Sequence, residues 1–171
     1  MKKIICFGII IFVFLCACKK PVIYSDIPEI RLINFEKYQK NDDKTKITNG
    51  AILKLYFQDG EGDIGLNNND TFPPFNYGSP YHRNLICDYY EKQNGVFIKV
   101  DSTENNNKIE YSARIPRLTN LPKESINGEI THDMLEYYAN SPFDTIMLQF
   151  YILDRKLNKS NVVEVITTKG I

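Results

Sequence analysis

The chain has 171 residues and carries 21 Lys and Arg against 21 Asp and Glu, so its formal net charge is zero. This balance, with the lysines spread along the sequence, argues against a nucleic-acid-binding protein, which would carry a basic patch. Hydrophobic residues make up 43% of the chain, and its length is that of one domain able to bury a core.

The first residues have the layout of a secretory signal. Met1-Lys2-Lys3 is a short positive segment, and a nearly unbroken apolar run from Ile4 to Leu15 follows it. The run is shorter than the roughly 20 residues that a membrane-spanning helix needs, and Lys19-Lys20-Pro21 ends it abruptly. We therefore predict a signal peptide over residues 1–17, with an uncleaved N-terminal anchor helix as the alternative.

The end of the apolar run carries a more specific pattern. Leu15-Cys16-Ala17-Cys18 resembles the bacterial lipobox, in which a small residue precedes the cysteine that takes the lipid. The resemblance implies a diacylglycerol thioether on Cys18, removal of the preceding peptide and acylation of the new amino group by a palmitate-type chain. Two or three acyl chains are enough for stable anchoring. We predict a lipoprotein that is tethered to a membrane through residues 18–29.

The cysteines give no disulfide framework. Removal of residues 1–17 from the 171 would leave 154 residues with a net charge near −2, and Cys6 and Cys16 would be lost. With lipid on Cys18, only Cys87 would remain, so we expect no internal disulfide. The apolar, strand-like surroundings of Cys87 favour a buried inert thiol over a nucleophile.

Period-2 alternation of apolar residues predicts β-strands after the tether. Ala51–Gln58 and Thr145–Leu153 show it most clearly, and Asn94-Gly95 between two strand-like runs is a strong hairpin signal. The eight predicted strands are Ile30–Phe35, Ala51–Gln58, Leu85–Lys92, Val96–Val100, Ile109–Ile115, Ile126–Thr131, Thr145–Leu153 and Val162–Thr167.

Short strands separated by turns rich in Asn, Asp, Gly and Pro favour an antiparallel β-sandwich over a parallel sheet, which would need crossover helices. The best helical candidate is the short segment Asp133–Tyr138. The polar interval Leu66–Asn84 contains three prolines and is expected to be an irregular surface loop, of a length that is usually functional or disordered. We predict an all-β antiparallel sandwich of about eight strands over residues 30–171.

An acidic, glycine-rich segment directly follows the strand Ala51–Gln58. Asp59-Gly60-Glu61-Gly62-Asp63-Ile64-Gly65 places acids at alternate positions, where a tight loop can turn several oxygens inward. Calcium prefers about six to eight oxygen ligands, and Asn67–Asp70 just downstream could add more. The segment is not an EF-hand, because Ile64 stands where that motif has glycine and no helices flank it.

A second acidic corner begins at Asp154, directly after the strand Thr145–Leu153. If the two strands end at the same edge of the sandwich, Asp154 could approach Asp59 and Asp63. The predicted calcium ligands are Asp59, Glu61, Asp63 and Asp154. The alternative is that these residues only form Asx-turns and tight bends, with Asp154 paired to Arg155 or capping a turn.

Four aromatic residues crowd the long loop together with its prolines. They are Phe72, Phe75, Tyr77 and Tyr81. Exposed aromatic rings in a loop can stack on a sugar or contact a protein partner, so these residues are candidate ligand contacts. The alternative is that the rings pack down onto the sandwich and hold the loop in place.

Several blocks of the chain resemble a family of uncharacterised Bacteroidetes lipoproteins with a DG(D/E)GDIG-type loop. The matching blocks are Asp59–Leu66, Asn84-Leu85, Tyr90–Lys92, Asn94–Phe97, Phe143–Ile146, Asp154-Arg155 and Asn158–Asn161. They cover most of the chain after the signal. The resemblance implies an immunoglobulin-like sandwich and an outer-membrane address, and it implies no activity.

The function expected from these features is that of a binding or structural module. We predict a lipid-anchored outer-membrane protein, not an enzyme, whose immunoglobulin-like domain contacts an envelope protein or a glycan. Lys19-Lys20-Pro21 after the lipidated cysteine leaves both the periplasmic and the surface face open. The alternative is a glycan hydrolase that uses the Asp59, Glu61 and Asp63 carboxylates, although three acids in one short turn suit an ion better than a sugar ring.

Overall fold

The computed structural model describes residues 23–41, 47–100, 111–119, 124–138 and 141–170. Within these ranges the chain forms seven β-strands and no helix. The strands are β1 (Glu29–Asn41), β2 (Ile47–Asp59), β3 (Leu85–Gln93), β4 (Val96–Lys99), β5 (Ile126–Leu135), β6 (Thr145–Ile152) and β7 (Val163–Thr168). The predicted signal peptide, Cys18 and the first residues of the predicted tether lie outside the described residues.

The strands form two antiparallel sheets. One has the order β1-β2-β5 and the other the order β4-β3-β6-β7. The chain passes from one sheet to the other after β2, after β4 and after β5, which is the connectivity of immunoglobulin-like sandwiches. The prediction of an all-β antiparallel sandwich is confirmed. In the part of the chain that is described, no helix is long and apolar enough to span a membrane.

The core lies between the two sheets and follows from the alternation of apolar residues. On β2, every second residue from Ala51 to Asp59 is buried, and the residues between them are partly exposed. The facing sheet contributes the apolar row of β6. The buried apolar residues of these two strands are Ala51, Leu53, Leu55, Phe57, Ile146, Leu148, Phe150 and Ile152. Burial of each large side chain contributes roughly 1.5–3 kcal/mol, so these rows fix which face of each strand points inward.

The hairpin between β3 and β4 has the predicted turn. Asn94 and Gly95 both adopt positive φ, at 51° and 87°. A two-residue turn with two positive φ values matches the right-handed twist of the flanking strands, which is why Asn-Gly is favoured there. The hairpin prediction is confirmed.

The predicted strand Ile109–Ile115 is wrong for the residues that are described. The segment from Tyr111 makes only isolated bridges, Ala113 with Leu85 and Pro116 with Leu66. Ala113 and Leu85 exchange backbone hydrogen bonds at 2.8 and 3.0 Å, but the pairing does not continue as a ladder, because the amide of Ile115 donates to the Asn84 side chain at 2.6 Å. Pro116 has no amide hydrogen to donate and cannot continue a ladder.

The predicted helix Asp133–Tyr138 is also wrong. Its first three residues belong to β5, where Leu135 pairs with Gly50 of β2. Glu136 then adopts a φ of 53° and its amide donates to the Asn49 carbonyl at 2.8 Å, which ends the strand. A helix of six residues is unstable by itself, whereas the free edge of β2 offers a full ladder of hydrogen bonds.

Most of the long connections between strands lie at one end of the sandwich. There β2 and β6 end and β1, β3, β5 and β7 begin, as the pairs Glu29–Gln58 and Leu85–Ile152 show. The segment before β1 lies at this end as well, because the Ser25 carbonyl accepts a hydrogen bond from the Gly60 amide at 2.7 Å. We call it the tether end. The last residues of the predicted tether thus contact the folded domain.

Candidate functional site

Asp59 is a carboxylate on the core-facing row of β2. It is the last residue of the strand and continues the buried positions of Leu55 and Phe57, so its side chain is 0% exposed. Its Oδ2 accepts the backbone amide of Asp63 at 2.9 Å. Strand geometry alone therefore carries an acidic side chain into the end of the core.

The loop after β2 turns back so that Asp63 returns beside Asp59. Gly62 and Gly65 adopt φ values of 65° and 96°, a conformation that L-residues with side chains rarely adopt. Ile64 then forms an antiparallel bridge with Asp154, which follows β6 in the other sheet. The bridge joins the two acidic segments across the tether end.

Asp154 is held by the turn that follows it. Its side chain is 1% exposed, and its two carboxylate oxygens accept the backbone amide and the side-chain amide of Asn158, both at 2.8 Å. Leu157 adopts a φ of 68° within this turn. These two hydrogen bonds fix the orientation of the Asp154 carboxylate.

Together these segments bring three of the predicted ligands into one cluster, in which Asp59 and Asp154 are buried and Asp63 is partly buried. One carboxylate oxygen from each of Asp59, Asp63 and Asp154 lies within 4.8 Å of the other two. Oδ1 of Asp59 and Oδ1 of Asp63 are buried and have no hydrogen-bond partner among the residues that the structure describes. Carboxylate oxygens in this arrangement are able to hold a cation.

Burial and mutual repulsion perturb this cluster. Burial first, and then the neighbouring Asp154 and Asp59 carboxylates, raise the pKa of Asp63 to about 6. Glu61 raises it further, and Arg117 opposes these effects. Burial is also the largest cause of the raised pKa of Asp59. At near-neutral pH the cluster therefore carries negative charge, and the neighbouring side chains compensate this charge only in part.

Glu61 does not join the cluster, although the sequence predicted it as a fourth ligand. Its carboxylate forms an ion pair with Lys156. Between Glu61 and Asp63 the backbone passes through the left-handed conformation of Gly62, which breaks the alternate spacing that the sequence suggested. Arg155 likewise does not pair with Asp154, one of the alternatives for that residue, and binds Asp70 instead.

The long loop between β2 and β3 is held by arginines. Arg114 donates to the carbonyls of His82, Asn67 and Asp70 at 2.6, 3.0 and 3.0 Å. Arg155 donates through both terminal nitrogens to the Asp70 carboxylate, and this hydrogen bonding lowers the pKa of Asp70. These contacts leave no local signal in the sequence, because Arg114 is more than forty positions from its loop partners Asn67 and Asp70.

The four aromatic side chains of this loop have different environments. Phe72 and Tyr77 are 77% and 83% exposed, and Tyr81 is 38% exposed. Phe75 is partly buried, with the Arg155 guanidinium 5.7 Å from its ring centroid. The alternative that the rings hold the loop down therefore applies to Phe75 and does not describe Phe72 or Tyr77.

Cys87 does not contribute to this site. It is a free, partly buried cysteine on β3, and its backbone amide donates a hydrogen bond to the Ser112 hydroxyl oxygen at 3.0 Å. Burial raises the pKa of its thiol, so the reactive thiolate is disfavoured. This agrees with the expectation of an inert thiol.

Comparison of the chain with protein-family models, with curated proteins and with solved structures finds no match. The resemblance to a family of Bacteroidetes lipoproteins, with the DG(D/E)GDIG-type loop, stays a prediction. The same is true of lipidation at Cys18 and of the outer-membrane location.

Proposed function

We propose that this protein is an exported, lipid-anchored module of the outer membrane that binds an envelope glycan or protein at its tether end and is not an enzyme. The observation that carries the proposal is the exposure of Phe72 and Tyr77, at 77% and 83%, on a loop that Arg114 and Arg155 hold in place. Exposed aromatic rings on a fixed loop can bind with little loss of conformational entropy.

The position of the tether supports a ligand at the membrane surface. Tyr24 accepts a hydrogen bond from the Asn127 side chain at 3.0 Å, so the chain reaches the domain at the tether end. Five residues lie between Cys18 and Tyr24, and this stretch of six Cα-to-Cα steps spans at most about 20 Å when fully extended. With lipid on Cys18, the aromatic loop would lie on the side of the domain that faces the membrane.

The buried acids argue against the alternative of a glycan hydrolase. Glycosidases hold two carboxyl groups about 5–10 Å apart across an open cleft, where a sugar ring can enter. Of the three carboxylates in that alternative, Asp59 is 0% exposed, Glu61 forms an ion pair with Lys156, and oxygens of Asp59 and Asp63 lie within 4.8 Å of each other. Carboxylates in this position cannot reach a glycosidic bond without opening the end of the core.

The anchor is tested by Cys18→Ser. The serine hydroxyl cannot form the thioether, so we expect the variant to incorporate no labelled palmitate. It should either keep its apolar leader as an unprocessed precursor or leave the membrane fraction. The measurement is membrane fractionation with palmitate labelling, compared with Cys87→Ser, which removes a thiol outside the lipobox. Wild-type palmitate incorporation by Cys18→Ser would show that the lipid is not on this residue.

The binding face is tested by photo-crosslinking in whole cells. A photoreactive amino acid at Phe72 or Tyr77 should give a discrete adduct, because both side chains would contact the ligand. Val96 is the matched control, since it is 61% exposed but lies in the β3–β4 hairpin at the opposite end of the sandwich. Digestion of the adduct by protease or by glycosidase identifies its class. Equal labelling from all three positions, or none from Phe72 and Tyr77, would contradict the proposed face.

A further inference from the structure

We propose that the protein binds one calcium ion at the tether end, held by the carboxylates of Asp59, Asp63 and Asp154. These residues belong to two different connections, one after β2 and one after β6, that meet at the Ile64–Asp154 bridge. The ion would join the two sheets where their own hydrogen-bond ladders have ended.

The unpartnered oxygens distinguish a ligand site from an ordinary turn. Asx-type hydrogen bonds account for Oδ2 of Asp59 and for both oxygens of Asp154. They leave Oδ1 of Asp59, a fully buried side chain, and Oδ1 of Asp63 without a donor in the described part of the chain. A buried carboxylate oxygen without a partner opposes folding, and a cation at this position removes that penalty.

The charges around the cluster favour a divalent cation. Lys156 is engaged by Glu61 and Arg155 by Asp70, so neither basic residue is committed to the cluster. Arg117, Arg155 and Lys156 all act electrostatically on Asp63, and the Arg117 side chain donates to the Ile64 carbonyl at 3.4 Å. Because Asp70 and Glu61 offset Arg155 and Lys156, the three carboxylates of the cluster face the uncompensated charge of Arg117 alone, and a divalent ion would balance the excess negative charge.

The donor set selects calcium among the common divalent ions. All three ligands are hard oxygen donors, and neither histidine of the chain, His82 or His132, belongs to the cluster, so zinc is disfavoured. Magnesium requires near-octahedral geometry and usually retains several waters, for which the almost fully buried Asp59 and Asp154 leave little room. Calcium accepts irregular sets of carboxylate and carbonyl oxygens at variable coordination number.

Calcium would also stabilise the proposed binding face. Asp154 is followed directly by Arg155, whose guanidinium binds Asp70 and lies over the ring of Phe75. Fixing Asp154 therefore fixes the arginine that holds the aromatic loop. This coupling rests on the proposed function, whereas the calcium site itself does not.

The experiment is a thermal titration of the full-length protein in detergent. Calcium chloride added to chelator-treated protein should raise Tm saturably, by roughly 5–10 °C at a hundredfold excess over Kd. Magnesium chloride at the same concentration should give a much smaller shift. Isothermal titration calorimetry on the wild-type protein gives the stoichiometry, which should be one ion per chain.

Two variants distinguish a calcium site from an acidic loop that binds no ion. Asp63→Asn should weaken calcium binding by roughly tenfold or more, since it removes a charged ligand. In chelator the same variant should melt no lower than wild type, because it relieves repulsion among the three carboxylates. Glu61→Gln is the matched control two residues away, and it should retain the wild-type calcium affinity because Glu61 faces Lys156.

The proposal has clear contrary outcomes. An identical Tm in chelator and in millimolar calcium, with no binding heat, would mean that a shared proton and not a cation closes the cluster. A loss of affinity in Glu61→Gln equal to that in Asp63→Asn would overturn the assignment of the ligands. Neither result bears on the lipid anchor or on crosslinking at Phe72 and Tyr77, so the two proposals fail independently.

Discussion

Replacement of Gly65 with alanine should lower the free energy of unfolding by roughly 3–5 kcal/mol and Tm by roughly 10 °C. The residue has a φ of 96°, and a Cβ there would lie 2.2 Å from the carbonyl oxygen of Pro116. The obstacle is backbone and cannot rotate away. Relief requires the loop to move off the Pro116 segment, which breaks the hydrogen bond from Leu66 to Ile115 at 2.9 Å.

Gly78→Ala is the control for this prediction. Gly78 has a similar φ of 83°, but a Cβ at that position meets nothing within 4 Å. It therefore reports the conformational penalty alone, which is about 1–2 kcal/mol for a residue with a side chain. Chemical denaturation of both variants separates strain from steric overlap. Equal losses in the two variants would show that the approach to Pro116 is unimportant.

Much of the fold was accessible from the sequence because it is encoded locally. The alternation in Ala51–Gln58 and Thr145–Leu153 identifies the two central strands, and Asn94-Gly95 identifies the hairpin between β3 and β4. The wrong secondary-structure predictions concern segments whose conformation depends on contacts with distant parts of the chain. Asp133–Tyr138 has a helical composition, and its first residues become strand only because β2 lies beside them.

The burial of Asp59 is also encoded locally, although the strand predicted from the sequence ended one residue earlier, at Gln58. The period that buries Leu53, Leu55 and Phe57 continues by one step to Asp59, so the strand pattern itself places this carboxylate inside. Glu61 is the opposite case. Alternate spacing suggests that it shares a side with Asp63, and only the left-handed backbone at Gly62 separates them.

Other parts of the site depend on contacts between distant segments. The meeting of Asp154 with Asp59 requires β2 and β6, which lie in different sheets, to end at the same end of the sandwich. The arginine clamp on the long loop likewise joins Asp70 to Arg155, 85 positions away. No spacing rule in a single sequence encodes such pairs, because they follow from sheet order and register.

At the opposite end of the sandwich, Lys169→Met should destabilise the domain by roughly 3–5 kcal/mol. Lys169 lies just after β7, and its ammonium donates to the Ser141 hydroxyl at 2.6 Å and to the Glu91 carboxylate at 3.4 Å. Glu91 is 3% exposed on β3 and also accepts the Tyr89 hydroxyl at 3.2 Å. Methionine retains most of the side-chain volume but leaves a buried carboxylate without its cationic partner.

A double-mutant cycle shows whether this loss comes from the unpaired charge. Glu91→Gln combined with Lys169→Met should recover most of the stability, since the amide oxygen still accepts from Tyr89 and Ser141 without a buried charge. Lys54→Met is the matched control, because Lys54 pairs with Glu129 on the surface, with side chains 41% and 57% exposed. That change should alter stability by about 0.5 kcal/mol at most. Additive losses across the cycle would mean that Lys169 acts through packing against Tyr138 rather than through Glu91.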